Sequence, residues 1–179
     1  METERLIMRR WREEDREPFA AMNADPEVME HFPAPLTREQ SDRMVDRIEQ
    51  QFDEHGYGLW ALEVIGTGEF IGFTGLARQT FDAPFLPAVE IGWRLARPAW
   101  GHGFAVEAAR RAAEYAFDEA GLDELISMTA ATNLRSQAVM RRLGMTRDPA
   151  EDFDHPSVPE GSPLRRHVLY RLRAGNHGS

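Results

Sequence analysis

Three short stretches of the sequence carry residue types whose spacing can do chemistry. The first is Arg97-Pro98-Ala99-Trp100-Gly101-His102-Gly103, which leads from a strand-like segment into the Ala-rich run FAVEAARRAAEYAFDEAG. Two glycines around His102 remove the side chains that would hold a ligand off the backbone. The N–H groups opening the next helix then converge with the positive end of its dipole. Such a turn binds an anion, and the same spacing also makes a plain tight connection. The second stretch starts at Asn133, a good helix N-cap, with Ser136 three positions on. Each has two readings, capping of a backbone group or contact with a ligand beside the helix, and Asn133 can do both. The third is Glu90, on a strand that alternates Val89, Ile91, Trp93 and Leu95 with Glu90, Gly92 and Arg94. Its carboxylate either takes a proton within a site, pairs with Arg94 on the same face, or meets solvent.

Composition removes several alternatives. All 21 basic residues of the 179 are Arg, and there is no Cys. Thiolate nucleophiles, disulfides, lysine Schiff bases and the lysine of a Walker loop are therefore excluded. A formal charge of -9 opposes phosphate backbones and anionic lipid, so neither nucleic acid nor a membrane is an expected partner. The opening METERLIMRRWREEDRE is charged from its second residue, and no apolar run reaches the length of a membrane span; a cytoplasmic protein is expected. The six His show no metal-ligand spacing, and Asp152, Asp154 and His155 read as a solvated loop cluster, so no metal is expected.

The elements that must position these residues follow from pattern. Residues 6–11 read as a strand and the stretch after them as an amphipathic helix ending before Asp25-Pro26. Thr37-Arg38-Glu39-Gln40 has capping-box spacing for a second helix, whose Met44, Val45, Ile48 and Phe52 share one face and which stops near Gly56. Residues 59–65 and 70–76 form a hairpin about Gly66-Thr67-Gly68, and a longer loop rich in Phe and Pro precedes the Glu90 strand. The Ala-rich helix runs to Gly121, 124–130 is a strand, and a helix from the Asn133 cap ends at Gly144. A short strand follows, then a loop over 148–166, a closing strand over 167–172 and a disordered tail over 174–179. The expected architecture is one α/β domain, 1–173, with a mixed, mostly antiparallel sheet, flanking helices and one parallel β-α-β crossover.

WGHGFAVEA followed some thirty residues on by NLRSQAVMRRLGM resembles the GCN5-related N-acetyltransferase (GNAT) superfamily, most closely its ribosomal-protein alanine acetyltransferase-like (RimJ/RimL-like) branch. TERLIMRRW, GLWALE, FIGFTGL, EIGWRL and HVLYRL extend the resemblance, in the family's order, over nearly the whole chain. It implies the GNAT fold and acetyl-CoA as co-substrate. The pyrophosphate would lie on Trp100, Gly101, His102, Gly103, Phe104 and Ala105 and the pantetheine beside Leu95, with Arg97, Asn133, Ser136 and Met140 also at the cofactor. Two positions depart from the pattern. Pro98 stands where the family has Gln or Arg three residues before the first Gly, and Met140 where many members carry the Tyr that protonates the leaving thiolate.

The resemblance implies transfer of an acetyl group to a primary amine by direct attack in a ternary complex. Ser136, near the sulfur in this branch, would hydrogen-bond the departing thiolate, and the N–H near Leu95 would polarise the thioester carbonyl. Glu90 is the candidate base, although an α-amino group of pKa near 8 is already partly neutral at pH 7. The alternative is a catalytically silent module that only binds CoA or acyl-CoA. The acceptor is a small-molecule or peptide amine, and the protein a monomer or homodimer. The loop over 148–166, stiffened by prolines, is expected to fold over the acceptor side; if it does not, residues 22–52 supply that pocket.

Overall fold

The computed structural model describes residues 1–175. Its last element ends in a turn at Ala174, whose N–H donates to Asp123 O at 3.0 Å; the remainder of the expected tail lies outside the described residues. Seven strands form one sheet in the order β1-β2-β3-β4-β5-β7-β6. They are β1 (Leu6–Arg9), β2 (Leu59–Val64), β3 (Phe70–Gln79), β4 (Ala88–Leu95), β5 (Glu124–Ala130), β6 (Phe153–Asp154) and β7 (Arg166–Arg173). All neighbours are antiparallel except β4 and β5, the pair joined by the Ala-rich helix. The mixed, mostly antiparallel sheet with one parallel crossover is thus the architecture found.

The helices are α1 (Arg16–Ala24), α2 (Arg38–His55), α3 (Phe104–Glu114) and α4 (Leu134–Arg142). At the start of α2 the Thr37 hydroxyl accepts from the Gln40 N–H at 3.2 Å, and the Gln40 side chain accepts from the Thr37 N–H at 2.8 Å. Gly56 ends that helix at φ 76°, a conformation that costs a residue with a Cβ about 1 kcal/mol or more. Val45, Ile48 and Phe52 are buried from α2, whereas Met44 is only half-buried, at the edge of a cleft.

On one face of the sheet, α3 packs over β3 and β4 through Ala108, Ala109, Ala112 and Ala113, all buried. Their small side chains bring the helix close to the strands. Leu6, Met8, Leu62, Leu76, Ile91 and Leu125 are fully buried, each contributing roughly 2 kcal/mol of transfer free energy. The Ala-rich segment is not one helix to Gly121. After Glu114 the backbone widens into a π-turn over Tyr115–Glu119, with Ala120 N–H donating to Tyr115 O at 2.9 Å. The widened turn accompanies a reach by Tyr115 across the molecule, its ring 5.3 Å from Trp60 and its hydroxyl donating to Gly56 O.

Two other elements differ from expectation. The short strand after Gly144 is reduced to a single bridge between Thr146 and Arg171. The 148–166 loop does not fold over the cleft. It makes a turn of 3-10 helix at Pro149–Glu151 and lays β6 along β7, and its Phe153 and His155 rings pack against Phe81 and Phe85 of the β3–β4 loop. The apolar rings that made it look like a lid find their partners there. No helix among the described residues is long and apolar enough to cross a membrane.

Candidate active site

The parallel register of β4 and β5 is recorded at Glu90↔Ile126 alone, so beyond that point the two strands part. The gap is the middle of a cleft of about 680 Å³. Close approach of β3 keeps the β4 wall straight: a Cβ on Gly72, at φ 130°, would stand 2.2 Å from Arg94 O. Ala96 N–H donates to Ile71 O. By the alternation of an antiparallel ladder, the Leu95 N–H one residue earlier points away from β3, toward the gap. The Leu95 carbonyl accepts from Trp100 Nε1 at 2.9 Å, which fixes Trp100 at the mouth. The Trp100 ring has the Arg97 guanidinium 4.8 Å from its centroid and that of Arg135 at 4.5 Å.

Past Trp100 the turn brings Gly101 and Gly103 to φ 81° and 82°. Only glycine enters this region without strain. Gly103 is the N-cap of α3 and has no side chain to satisfy the first-turn N–H groups, which therefore remain available to an anion at the positive end of the helix. The turn is tied down from outside the cleft, where Arg5 Nη1 donates to His102 O at 2.9 Å and Arg5 Nε donates to Glu107 at 2.7 Å. The His102 ring stacks on Phe104 at 5.7 Å.

Across the gap, α4 is held on the sheet by buried Gln137, whose amide donates to Ala131 O and accepts from the Tyr170 hydroxyl. Asn133 caps α4: its Oδ1 accepts from the Ser136 N–H at 3.1 Å, and its Nδ2 donates to Thr129 Oγ1 at 3.0 Å. The capping reading of Asn133 therefore holds, at the cleft wall. Ser136 is different. Its hydroxyl takes no part in the cap, has no partner among the described residues, and lines the cleft. Met140 is buried one turn further along.

Glu90 stands where β4 and β5 separate. Neither a pair with Arg94 nor a place in bulk solvent is what the structure gives it. Its Oε2 accepts from Gln79 Nε2 at 2.7 Å and its Oε1 faces the Met128 N–H at 3.4 Å. Protein packs densely around the half-buried carboxylate, and burial, only partly offset by those two donors, pushes its pKa up to about 7. Arg94 turns instead to Asn23, in α1, with Nη1 donating at 2.7 Å.

The cleft thus joins Glu90, Leu95, Trp100, Gly101, Gly103, Phe104, Ala105, Asn133, Ser136 and Met140. Arg97 and His102 lie outside its lining. Arg97 instead pairs with Glu27 at 2.8 Å, and Arg135 pairs with Glu30 at 2.7 Å. These exposed pairs, each worth under about 1 kcal/mol, tie the segment between α1 and α2 over the mouth. That segment places Val28, His31 and Phe32 in the lining, as expected if residues 22–52 rather than the 148–166 loop build that side. His31, Phe32 and Asn23 had no sequence signal of their own, since none repeats with a period or sits in a motif. No group of three or more His, Asp or Glu among the described residues is placed to hold a metal ion.

The chain is similar in sequence and fold to known proteins. A family model described as "Acetyltransferase (GNAT) domain" matches residues 5–146. The protein YkkB of Bacillus subtilis (strain 168) is 32% identical over 146 residues, 80% of this chain and 83% of that protein. FsC-acetyl coenzyme A-N(2)-transacetylase of Aspergillus fumigatus is 34% identical over 140 residues, covering 74% of this chain and 59% of that protein. The crystal structure of an acetyltransferase from Agrobacterium tumefaciens str. C58 superposes with a TM-score of 0.77 at 27% identity, over 97% of this chain and 93% of that one.

Proposed function

The chain belongs to the GNAT acetyltransferase family and is an acetyl-CoA-dependent acetyltransferase; from that premise we propose that it acetylates a primary amine by direct attack within a ternary complex. The carrying observation is that one cleft joins an uncapped helix N-terminus, a strand N–H pointing into the β4–β5 gap, a free hydroxyl and a carboxylate of raised pKa. Kinship with the ribosomal-protein alanine acetyltransferase-like branch rests on WGHGFAVEA and NLRSQAVMRRLGM.

In this reading Gly101, Gly103 and the first N–H groups of α3 hold the pyrophosphate of acetyl-CoA, with Trp100, Phe104 and Ala105 around it. Backbone donors do this work, so Pro98 in place of a longer side chain leaves the anion site intact. The Leu95 N–H polarises the thioester carbonyl and stabilises the oxyanion of the tetrahedral intermediate. The amine nitrogen forms the new C–N bond and its proton passes to Glu90, directly or through water. The C–S bond then breaks and the electron pair leaves on sulfur. With Met140 unable to donate a proton, the Ser136 hydroxyl hydrogen-bonds the thiolate, which suffices for a leaving group whose pKa is near 8.5. No covalent enzyme intermediate is needed, in keeping with a chain that lacks Cys.

Ser136→Ala tests this assignment. The cap of α4 belongs to Asn133, so the substitution should change stability by no more than about 0.5 kcal/mol. It should lower kcat about tenfold with the KM for acetyl-CoA nearly unchanged. A kcat within a factor of two of the parent would remove Ser136 from the reaction.

A further inference from the structure

The floor of the cleft holds a cation that nothing neutralises. Arg94 shares a strand face with Glu90 and Gly92, and its guanidinium packs against two rings, with Cζ 4.3 Å from the centroid of Phe32 and 5.5 Å from that of Phe73. Nη1 reaches Asn23, a neutral partner. Nε is buried with no acceptor, and no Asp or Glu among the described residues pairs with the group. The chain's other well-packed arginines are treated differently. Arg9 is held by both Asp15 and Glu63, and Arg171 by both Glu124 and Glu151. A guanidinium taken out of water without a counter-charge costs folding free energy, and burial accordingly lowers its pKa to about 10, still charged at neutral pH. Packed over two rings and bound at one corner to Asn23, Arg94 lines the cleft with hydrogen-bonding capacity left over, and a carboxylate is the group that would complement a guanidinium in both charge and shape.

We propose that Arg94 binds a carboxylate of the acceptor, so that the acetylated amine belongs to a small molecule carrying both a primary amine and a carboxylate, of the amino-acid class. The proposal rests on the reading above in one respect, that the amine lies at the Glu90 end. Between the two charged residues Gly92 leaves bare backbone: a Cβ there would meet nothing within 4 Å. Glu90 and Arg94, four residues apart on a strand and so about 13 Å between Cα atoms, then bracket a substrate whose own charges are opposite to theirs. A polyamine is disfavoured at the same place, since its second ammonium would face the unneutralised guanidinium.

The test uses glycine, β-alanine, 4-aminobutyrate and 5-aminovalerate, with the n-alkylamines of matching length and spermidine as partners lacking a carboxylate. Binding to the CoA-loaded protein is measured by calorimetry, and thiol release from acetyl-CoA by initial rates. At least one amino acid of the ladder should bind tenfold or more tighter than its matched alkylamine. Arg94→Gln should bring that ratio near one, with the affinity for CoA alone changed by less than a factor of two. The ligand comparison in the unsubstituted protein stands even if the variant fails to fold. Equal or better binding of alkylamines or spermidine overturns the carboxylate assignment, whatever the thiol assay shows. Carboxylate-selective binding without thiol release from any amine supports Arg94 and instead counts against the transfer reaction.

Discussion

Gly103→Val is expected to abolish measurable CoA binding in a protein that still folds. Gly103 sits at φ 82°, where a β-branched residue is strained, and it is the N-cap whose lack of a side chain leaves the α3 amides open. A Cβ there is not blocked by the fold itself, its nearest neighbour being Arg5 Nη2 at 3.5 Å. The substitution therefore costs stability only through backbone strain, about 1–3 kcal/mol, while valine methyl groups occupy the anion position. Binding should weaken at least a hundredfold, equivalent to about 2.7 kcal/mol, by calorimetry. Unchanged affinity in a folded Gly103→Val protein would take the pyrophosphate away from this turn.

Glu90→Gln should lower kcat by about a hundredfold or more and also change the shape of the pH profile. A base must be unprotonated to act, and the Glu90 carboxyl, raised to about 7, ionises only as the pH rises through that value. The parent enzyme's kcat/KM should thus fall below pH 7, and the variant should lose that limb and retain only the ionisation of the amine itself. Stability moves the other way. With a folded pKa above the unfolded value near 4.3, Glu90 favours the folded state below pH 4, and that contribution is lost as the pH rises through about 7. Glu90→Gln should accordingly melt at a higher temperature than the parent at pH 8 while being the slower enzyme. A variant with full kcat and an unchanged acidic limb would show that the amine arrives already neutral and needs no base.

How far the sequence could be read depended on whether the deciding interaction was local. The capping box of Thr37 and Gln40, the stop at Gly56 and the Asn133 cap all lie within four residues of backbone, and each stands where its spacing predicts. Gly101 and Gly103 were legible as turn residues for the same reason, and both stand at positive φ. Glu90 was legible as a carboxylate on a strand but not as a perturbed one, because its surroundings come from Gln79 and Met128, on two other strands. For Arg94 the sequence offered a pair with Glu90 only as one of the open readings, and the structure does not form it. Its actual partner, Asn23, is 71 residues away and sits on a helix whose angle over the sheet no periodicity reports. The 148–166 loop failed as a lid because the Phe81 and Phe85 rings that it packs on belong to another irregular segment. Two loops that define each other leave no period in either.

The direct measurement of the central claim is a paired assay on the unsubstituted protein, thiol released from acetyl-CoA against acetylated amine counted by mass spectrometry. An amine panel should include amino acids, peptides with free N-termini and polyamines. Direct transfer in a ternary complex predicts that at least one amine gives thiol and N-acetyl product in a one-to-one ratio, with rates that saturate in both substrates along intersecting rather than parallel double-reciprocal lines. Thermal stabilisation by CoA with no thiol released in the presence of any amine would contradict it, and would leave a protein that holds the cofactor without using it.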